Sequence, residues 1–306
     1  MNRRLSSGWL SAVVVIFAMA AVACGSTSST GGSTSKGTVT VAGFNFPESS
    51  ILAELYGQAL QHDGYTANYK LNLGTRKVVA PALQSGQIDI YPGYAASELE
   101  YFNQGKGEAT GDPAATTAKL NTYLQSINAV ALTPSAAFDG NAYAVTSATA
   151  AKYNLKNLSD LTPIAGQLVF GAGPECPTYK FCLPGLKSVY GLNFKQTLTL
   201  DTDGPATRAA FKNGSIQVGL VFSSDADLKQ LGLVVLVDDK NMIAADNIVP
   251  VVRQSIATDE VKRVLNNVDA HLTTADLVTM NGQVELLHQD ADAVAQAYLQ
   301  QHNFFA

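Results

Sequence analysis

From residue 38 onward the chain alternates two hydrophobic periods. "TVTVAGF" (38–44) alternates β-branched and apolar positions, the period of a strand. "SSILAELYGQALQHDG" (49–64) then places Ile51, Leu52, Leu55, Tyr56, Ala59 and Leu60 on one helical face. Ser49 or Ser50 can cap that helix and Gly64 can end it. "TANYKLNLG" puts Ala67, Tyr69, Leu71 and Leu73 on one side of a strand. "RKVVAPALQSG" predicts a short helix ended by Gly86, and "QIDIY" (87–91) predicts the next strand, followed by a Pro-Gly turn between Tyr91 and Tyr94. The alternation continues through "DPAATTAKLNTYLQSI", with Asp112 and Pro113 in cap and first-turn positions. "AVALT", "YAVT", "LVFGAG" and "TLTL" read as strands, whereas "PGLKSVYG" and "GPATRAAFKNG" read as helices. The last fifty residues predict helices, one opened by a Thr273–Asp276 capping-box spacing. Such alternation predicts an α/β fold with largely parallel sheets.

One internal echo stands out. "ALQSGQIDI" (82–90) and "AFKNGSIQV" (210–218) share a helix end, a glycine turn and an alternating strand, 128 residues apart. The same offset sets Tyr94 against Phe222 and Ser97 against Asp225. It predicts two similar α/β lobes. Open α/β sheets bind ligands beyond the carboxyl ends of their strands, where Tyr91, Tyr94 and Phe222 fall.

The first 37 residues have a different pattern. A basic "MNRR" precedes the apolar "WLSAVVVIFAMAAVA", which is too short for a comfortable membrane span. Residues 1–23 therefore read as a secretory signal. "AVAC" is similar to a bacterial lipobox, with Ala21 where leucine is usual, so Cys24 is the expected lipidation site. Ordinary signal cleavage and an uncleaved anchor are the alternatives. The Gly/Ser/Thr-rich run up to residue 37 cannot bury a core and reads as a flexible tether. Together they predict a body held by lipid on the extracytoplasmic face of the cell membrane.

Composition narrows the class. The formal net charge is −5, and it becomes more acidic once Arg3 and Arg4 leave with the signal. With no basic stripe, nucleic acid is not an expected partner. Cys24 aside, Cys176 and Cys182 are the remaining cysteines, and in an exported chain they predict a local disulfide that pins a loop. Two thiols without a nearby histidine are too few for a metal site, so neither metal nor cofactor is expected. His62, His271, His288 and His302 are scattered, and the chain lacks HExxH, Walker, GxGxxG and GxSxG motifs. Catalysis is not expected.

"FNFPESSILAELYGQAL", "GTRKVVAPALQSGQIDIYPGY", "LPGLKSVYGL", "GSIQVGLVFSSDADL" and "VLVDDKNMIAADNIVPVV" occur in this order. They resemble the conserved blocks of substrate-binding proteins of ABC importers for osmoprotectants, the glycine betaine, choline and carnitine group. The likeness runs from about residue 38 to 306. It implies a two-lobed periplasmic-binding-protein fold of type II with a two-strand hinge. Residues 38–140 plus 247–306 would form one lobe and 141–246 the other. It also implies a monomer working with an ABC permease and its ATPase subunit. Three departures bear on the cargo. Gly93 stands where the family tends to have Glu, "AAS" (95–97) replaces a Thr-Gly-Thr-like stretch, and Phe222 stands where many members have Tyr.

A quaternary ammonium cannot donate hydrogen bonds and is held by aromatic faces, at roughly 0.5–2 kcal/mol per ring. The resemblance points to Tyr91, Tyr94, Tyr143 and Phe222 as that cage, with Phe46 and Tyr179 behind them. For the polar end, Asn45, Glu48 and Ser49 lie at a helix start whose N–H groups could receive a carboxylate. Arg76 or Arg208 could pair with it. Asp225 could oppose the ammonium or cap a helix, and Asn141 could bind ligand or set the hinge turn. Two other readings stay open: a different cargo (amino acid, polyamine or aromatic compound, with Gly93 enlarging the cleft), and ligand sensing rather than import.

Overall fold

The computed structural model describes residues 35–174, 176–201 and 203–305. The signal, Cys24 and the tether up to residue 34 lie outside them. No described helix is long and apolar enough to cross a membrane.

Two five-stranded sheets organise Ser35–Ala306, which is one compact unit. Chain order gives β1 (Thr38–Ala42), α1 (Pro47–His62), β2 (Thr66–Lys70), α2 (Arg76–Gln84), β3 (Ile90–Tyr94), α3 (Ala95–Phe102), α4 (Pro113–Leu124) and β4 (Ala129–Ala131). The second sheet follows with β5 (Asn141–Thr146), α5 (Ser147–Tyr153), β6 (Val169–Ala172), α6 (Leu183–Tyr190), β7 (Gln196–Thr199), α7 (Pro205–Lys212), β8 (Val218–Phe222) and β9 (Leu233–Leu236). The chain then returns to the first sheet as β10 (Ile248–Arg253) and ends in α8 (Asp259–His271), α9 (Thr274–Glu285) and α10 (Ala291–Gln301).

The sheet orders are β2-β1-β3-β10-β4 and β7-β6-β8-β5-β9. They are one plan used twice. In each, a central strand (β3 or β8) pairs parallel on one side and antiparallel on the other. The 128-residue echo therefore reflects a real structural repeat, with Tyr94 and Phe222 as the last residues of equivalent strands. The sheets are mixed rather than largely parallel, because β10 and β5 each enter from the other half and run antiparallel to their neighbours.

Each sheet has its own core. The first joins Val41, Leu52, Tyr56 and Ile90 to the C-terminal Leu265, Leu277 and Leu299. The second joins Val145, Phe170, Leu186 and Val218, and Phe211 with Val221 fills its other face. Two segments cross between the sheets and pair antiparallel as they do so. Ser135 N–H donates to the Ile248 carbonyl (2.9 Å), Ile248 N–H to Ala137 (3.0 Å) and Asp139 N–H to Asp246 (3.2 Å). These are the two strands of the hinge.

Two local expectations change. The "YPGY" stretch is strand, not turn: Pro92 and Gly93 lie inside β3, opposite Pro250 and Val249 of β10. The Pro250 carbonyl accepts from Leu132 on the side away from β3. Pro92 and Pro250 thus face each other where neither strand needs an N–H toward its partner, so the ladder loses nothing. β2 stops at Lys70 because Asn72 (φ 53°) and Gly74 (φ 140°) turn the chain away.

Candidate functional site

The two halves enclose a cleft with two adjoining cavities. The first, about 430 Å³, is lined by Phe46, Arg76, Tyr94, Ser97, Asp139, Gly140, Asn141, Tyr179, Phe181, Phe222, Ile243, Ala244 and Asp246. The second, about 380 Å³, shares Phe46, Asp139 and Phe222 and adds Glu48, Asp203, Arg208, Ser224, Asp225, Asn281 and Glu285. Both fall in the size range of small-ligand sites.

The rings come from four places. Phe46 sits at the start of α1, 6.0 Å from Tyr94 at the end of β3. Phe222 ends β8 on the other sheet, and its side chain is exposed in the open cleft. Tyr179 and Phe181 belong to the loop closed by the Cys176–Cys182 disulfide, with their rings edge-to-face at 5.6 Å. Lys180, between them, donates to the Gly107 carbonyl at 3.2 Å, so the loop reaches across to the first half.

Tyr91 and Tyr143 take no part in this wall. Tyr91 is fully buried in the first core, edge-on to Phe44 at 5.6 Å, and its hydroxyl donates to Glu98 Oε2 at 2.9 Å. Tyr143 is fully buried in the second core and donates to the Phe181 carbonyl at 2.7 Å. Both support the cleft from beneath. In the strand, Tyr91 and Tyr94 are three residues apart and so project to opposite faces.

The polar candidates divide similarly. Glu48 is buried and accepts from Tyr94 Oη (2.8 Å) and Asn281 Nδ2 (2.7 Å). Ser49 is buried too, and its hydroxyl accepts the Phe44 N–H at 2.8 Å, a turn-fixing contact away from both cavities. Asn45 is exposed and lies outside both walls. Asn141 and Arg76 line the first cavity and Asp225 the second. The Arg76 guanidinium lies 5.2 Å over the Phe44 ring and holds Glu98 Oε1 at 2.6 Å. Gly93 does not enlarge the cleft. A Cβ there would lie 2.8 Å from Val251 Cγ2 and 3.1 Å from Glu98 Cγ, so the space is already filled.

Asp139 and Asp246 were not foreseen. Both stand on the hinge strands, where no periodicity marks them, and both line the first cavity. Asp139 accepts from the Ser224 hydroxyl at 2.6 Å. Asp246 accepts from the Ser97 N–H (2.6 Å) and hydroxyl (2.8 Å). Burial and the neighbouring Glu48 push Asp139 up to about 7, burial pushes Asp246 up to about 6, and burial with the nearby Asp225 pushes Asp203 up to about 8. Burial likewise raises Glu48, Asp225 and Glu285.

These shifts have a measurable sign. The folded protein holds these protons more tightly than the unfolded chain, where an aspartate titrates near 3.8. Their stabilising contribution is complete below about pH 4 and is lost as pH rises through about 6, 7 and 8 in turn. The ligand-free protein is expected to lose melting temperature from pH 5 to pH 8 in scanning calorimetry, and Asp139→Asn to flatten that slope. A melting temperature that rises over this window would contradict the assignment.

The cleft between the two sheets is lined by aromatic rings and carboxylates. Residues 37–301 match the family described as the substrate binding domain of ABC-type glycine betaine transport systems. The chain belongs to this family. It is similar to the glycine betaine-binding protein YehZ of Escherichia coli (strain K12), 27% identical over 265 residues that cover 83% of this chain and 87% of the relative. It is also similar to the carnitine transport binding protein OpuCC of Listeria monocytogenes, 26% identical over 290 residues and 90% of each chain. The solved structure of apo YehZ superposes with a TM-score of 0.74 at 26% identity, covering 87% of this chain and 99% of that one. The family is one of extracytoplasmic substrate-binding transport proteins.

Proposed function

We propose that this protein captures a quaternary ammonium osmoprotectant between two lobes and delivers it to an ABC permease and its ATPase subunit. The observation that carries this reading is the pairing of Phe46 and Tyr94 from one half with Phe222, Tyr179 and Phe181 from the other around a single cleft whose wall also carries Asp139 and Asp246. Aromatic faces attract a cation that offers no hydrogen bond, and the carboxylates supply the opposite charge. Residues 38–140 with 247–306 would act as one rigid lobe and 141–246 as the other, closing about the hinge when ligand touches both. A lipid on Cys24 and the tether behind it would keep the monomeric body at the extracytoplasmic face of the membrane.

The test is a pair of ligands with one shape and two charges. Choline should bind in isothermal titration, and its neutral isostere 3,3-dimethylbutan-1-ol should bind at least 30-fold more weakly. Equal binding of the two would show a greasy slot rather than a cation cage.

A further inference from the structure

The cleft is rich in carboxylates, and the guanidiniums that could receive an anion are already engaged. Among the described residues, six carboxylates line the two cavities: Glu48, Asp139, Asp203, Asp225, Asp246 and Glu285. The lining guanidiniums are Arg76 and Arg208. Arg76 is held by the buried Glu98 at 2.6 Å. Arg208 is held by Asp225 and by Asp227 (2.9 Å), with Asp203 3.7 Å away.

Two helix starts are taken as well. At α3, the Ser97 N–H is bound by Asp246. At α7, Asp201 accepts from the N–H groups of Gly204, Ala206 and Thr207 at 2.8–3.2 Å. At α1 no side chain caps the start, but its first turn carries the buried Glu48, which would oppose a second carboxylate. Above about pH 8, where Asp246, Asp139 and Asp203 have ionised, a ligand carboxylate entering this cleft would find like charge and, among the described residues, no free guanidinium, and burying an unpaired carboxylate is costly.

A second observation points the same way. Asn281 is buried in the wall of the second cavity, and both of its donated hydrogen bonds go to the protein, to Glu48 Oε2 (2.7 Å) and the Ser224 carbonyl (3.1 Å). Its Oδ1 has no hydrogen-bond partner among the described residues. The wall of the second cavity thus carries an unpaired buried acceptor.

We infer that the cargo is a net cation: a quaternary ammonium in the aromatic cavity whose other end is a hydrogen-bond donor, such as the hydroxyl of choline, directed toward the second cavity. Zwitterions that end in a carboxylate, glycine betaine and carnitine among them, are discriminated against. This rests on the quaternary ammonium reading above and narrows it.

Titration of the full-length chain, solubilised in detergent, with choline, glycine betaine and carnitine at pH 9, where the wall carboxylates are ionised, and at one salt concentration tests it. Choline is expected to bind at least tenfold more tightly than either zwitterion. Asp139→Asn, which keeps the shape of the wall and removes one charge, is expected to narrow that ratio at least threefold. Equal or tighter binding of glycine betaine or carnitine overturns the inference and leaves the quaternary ammonium reading standing. An unchanged ratio in Asp139→Asn overturns the wall charge as the cause of selectivity. No binding of any of the three removes both readings together.

Discussion

Phe222→Ala is expected to weaken binding of a quaternary ammonium by roughly 30- to 100-fold while the melting temperature stays nearly constant. The two halves of this expectation have separate causes. Phe222 is 39% exposed in the open cleft, so its side chain contributes little to the fold. What Phe222 does for the fold is done by its backbone, whose N–H donates to Asp203 Oδ2 at 2.7 Å and survives truncation to alanine. Substitutions of this kind usually move stability by no more than about 0.5 kcal/mol.

Binding is different. A cation–π contact in the cleft is worth about 1.5–2 kcal/mol, and the apolar area the ring buries against a methyl group adds a further ~0.8 kcal/mol. Together these convert to the stated range at about 1.4 kcal/mol per factor of ten. Phe222→Tyr keeps the face and should bind within about threefold of the parent on the same reasoning. Tyr94→Ala is the less clean experiment, since it also strips Glu48 of a phenol donor at 2.8 Å and so disturbs the buried wall. Calorimetric titration with choline, paired with a thermal melt, reads both quantities. Near-parental affinity in Phe222→Ala would remove the ring from the site.

The contrast between Phe222 and Tyr91 shows what the chain reveals by inspection and what it hides. Strand-to-helix alternation and the 128-residue echo are local patterns. They suffice to place Tyr94 and Phe222 at the ends of equivalent strands. The side on which a tyrosine points is a matter of parity, and parity is legible only when the strand limits are right. Reading Pro92-Gly93 as a turn ended the strand too early and left Tyr91 free to join the cage. Only the pairing of Pro92 with Pro250, a contact between residues far apart in sequence, shows that the strand runs on and that Tyr91 faces the core. Asp139 and Asp246 were invisible for a related reason. They stand on short hinge segments that meet only because the chain crosses twice between the sheets, and neither has a periodic neighbourhood to mark it. Tyr143 was placed by resemblance at the cleft, yet its hydroxyl is consumed by the Phe181 carbonyl beneath the disulfide loop. Glu98, inside "ASELEYF", reads as one more acidic residue on a short helix, but it is completely buried.

Glu98→Gln is expected both to destabilise the protein and to change what it binds. The carboxylate joins Arg76 Nε at 2.6 Å to the Tyr91 hydroxyl at 2.9 Å, and its chain packs over Gly93. Glutamine fills nearly the same volume and can still accept from Tyr91, so no cavity opens. What is lost is the charge opposite Arg76. Breaking a buried ion pair from one side typically removes 3–5 kcal/mol. The Arg76 side chain keeps 25% of its surface in water, which eases the loss to about 2–4 kcal/mol. For a chain of this size that corresponds to a fall of roughly 4–8 °C in melting temperature. The same substitution frees a guanidinium in the wall of the ligand cavity, where a planar fork of donors suits a carboxylate. Glycine betaine should therefore gain on choline by at least tenfold relative to the parent protein. Melting and titration of the one variant separate the two effects. A lower melting temperature with an unchanged ligand ratio would mean that Glu98 secures the fold but that its hold on Arg76 is not what excludes carboxylates from the cleft.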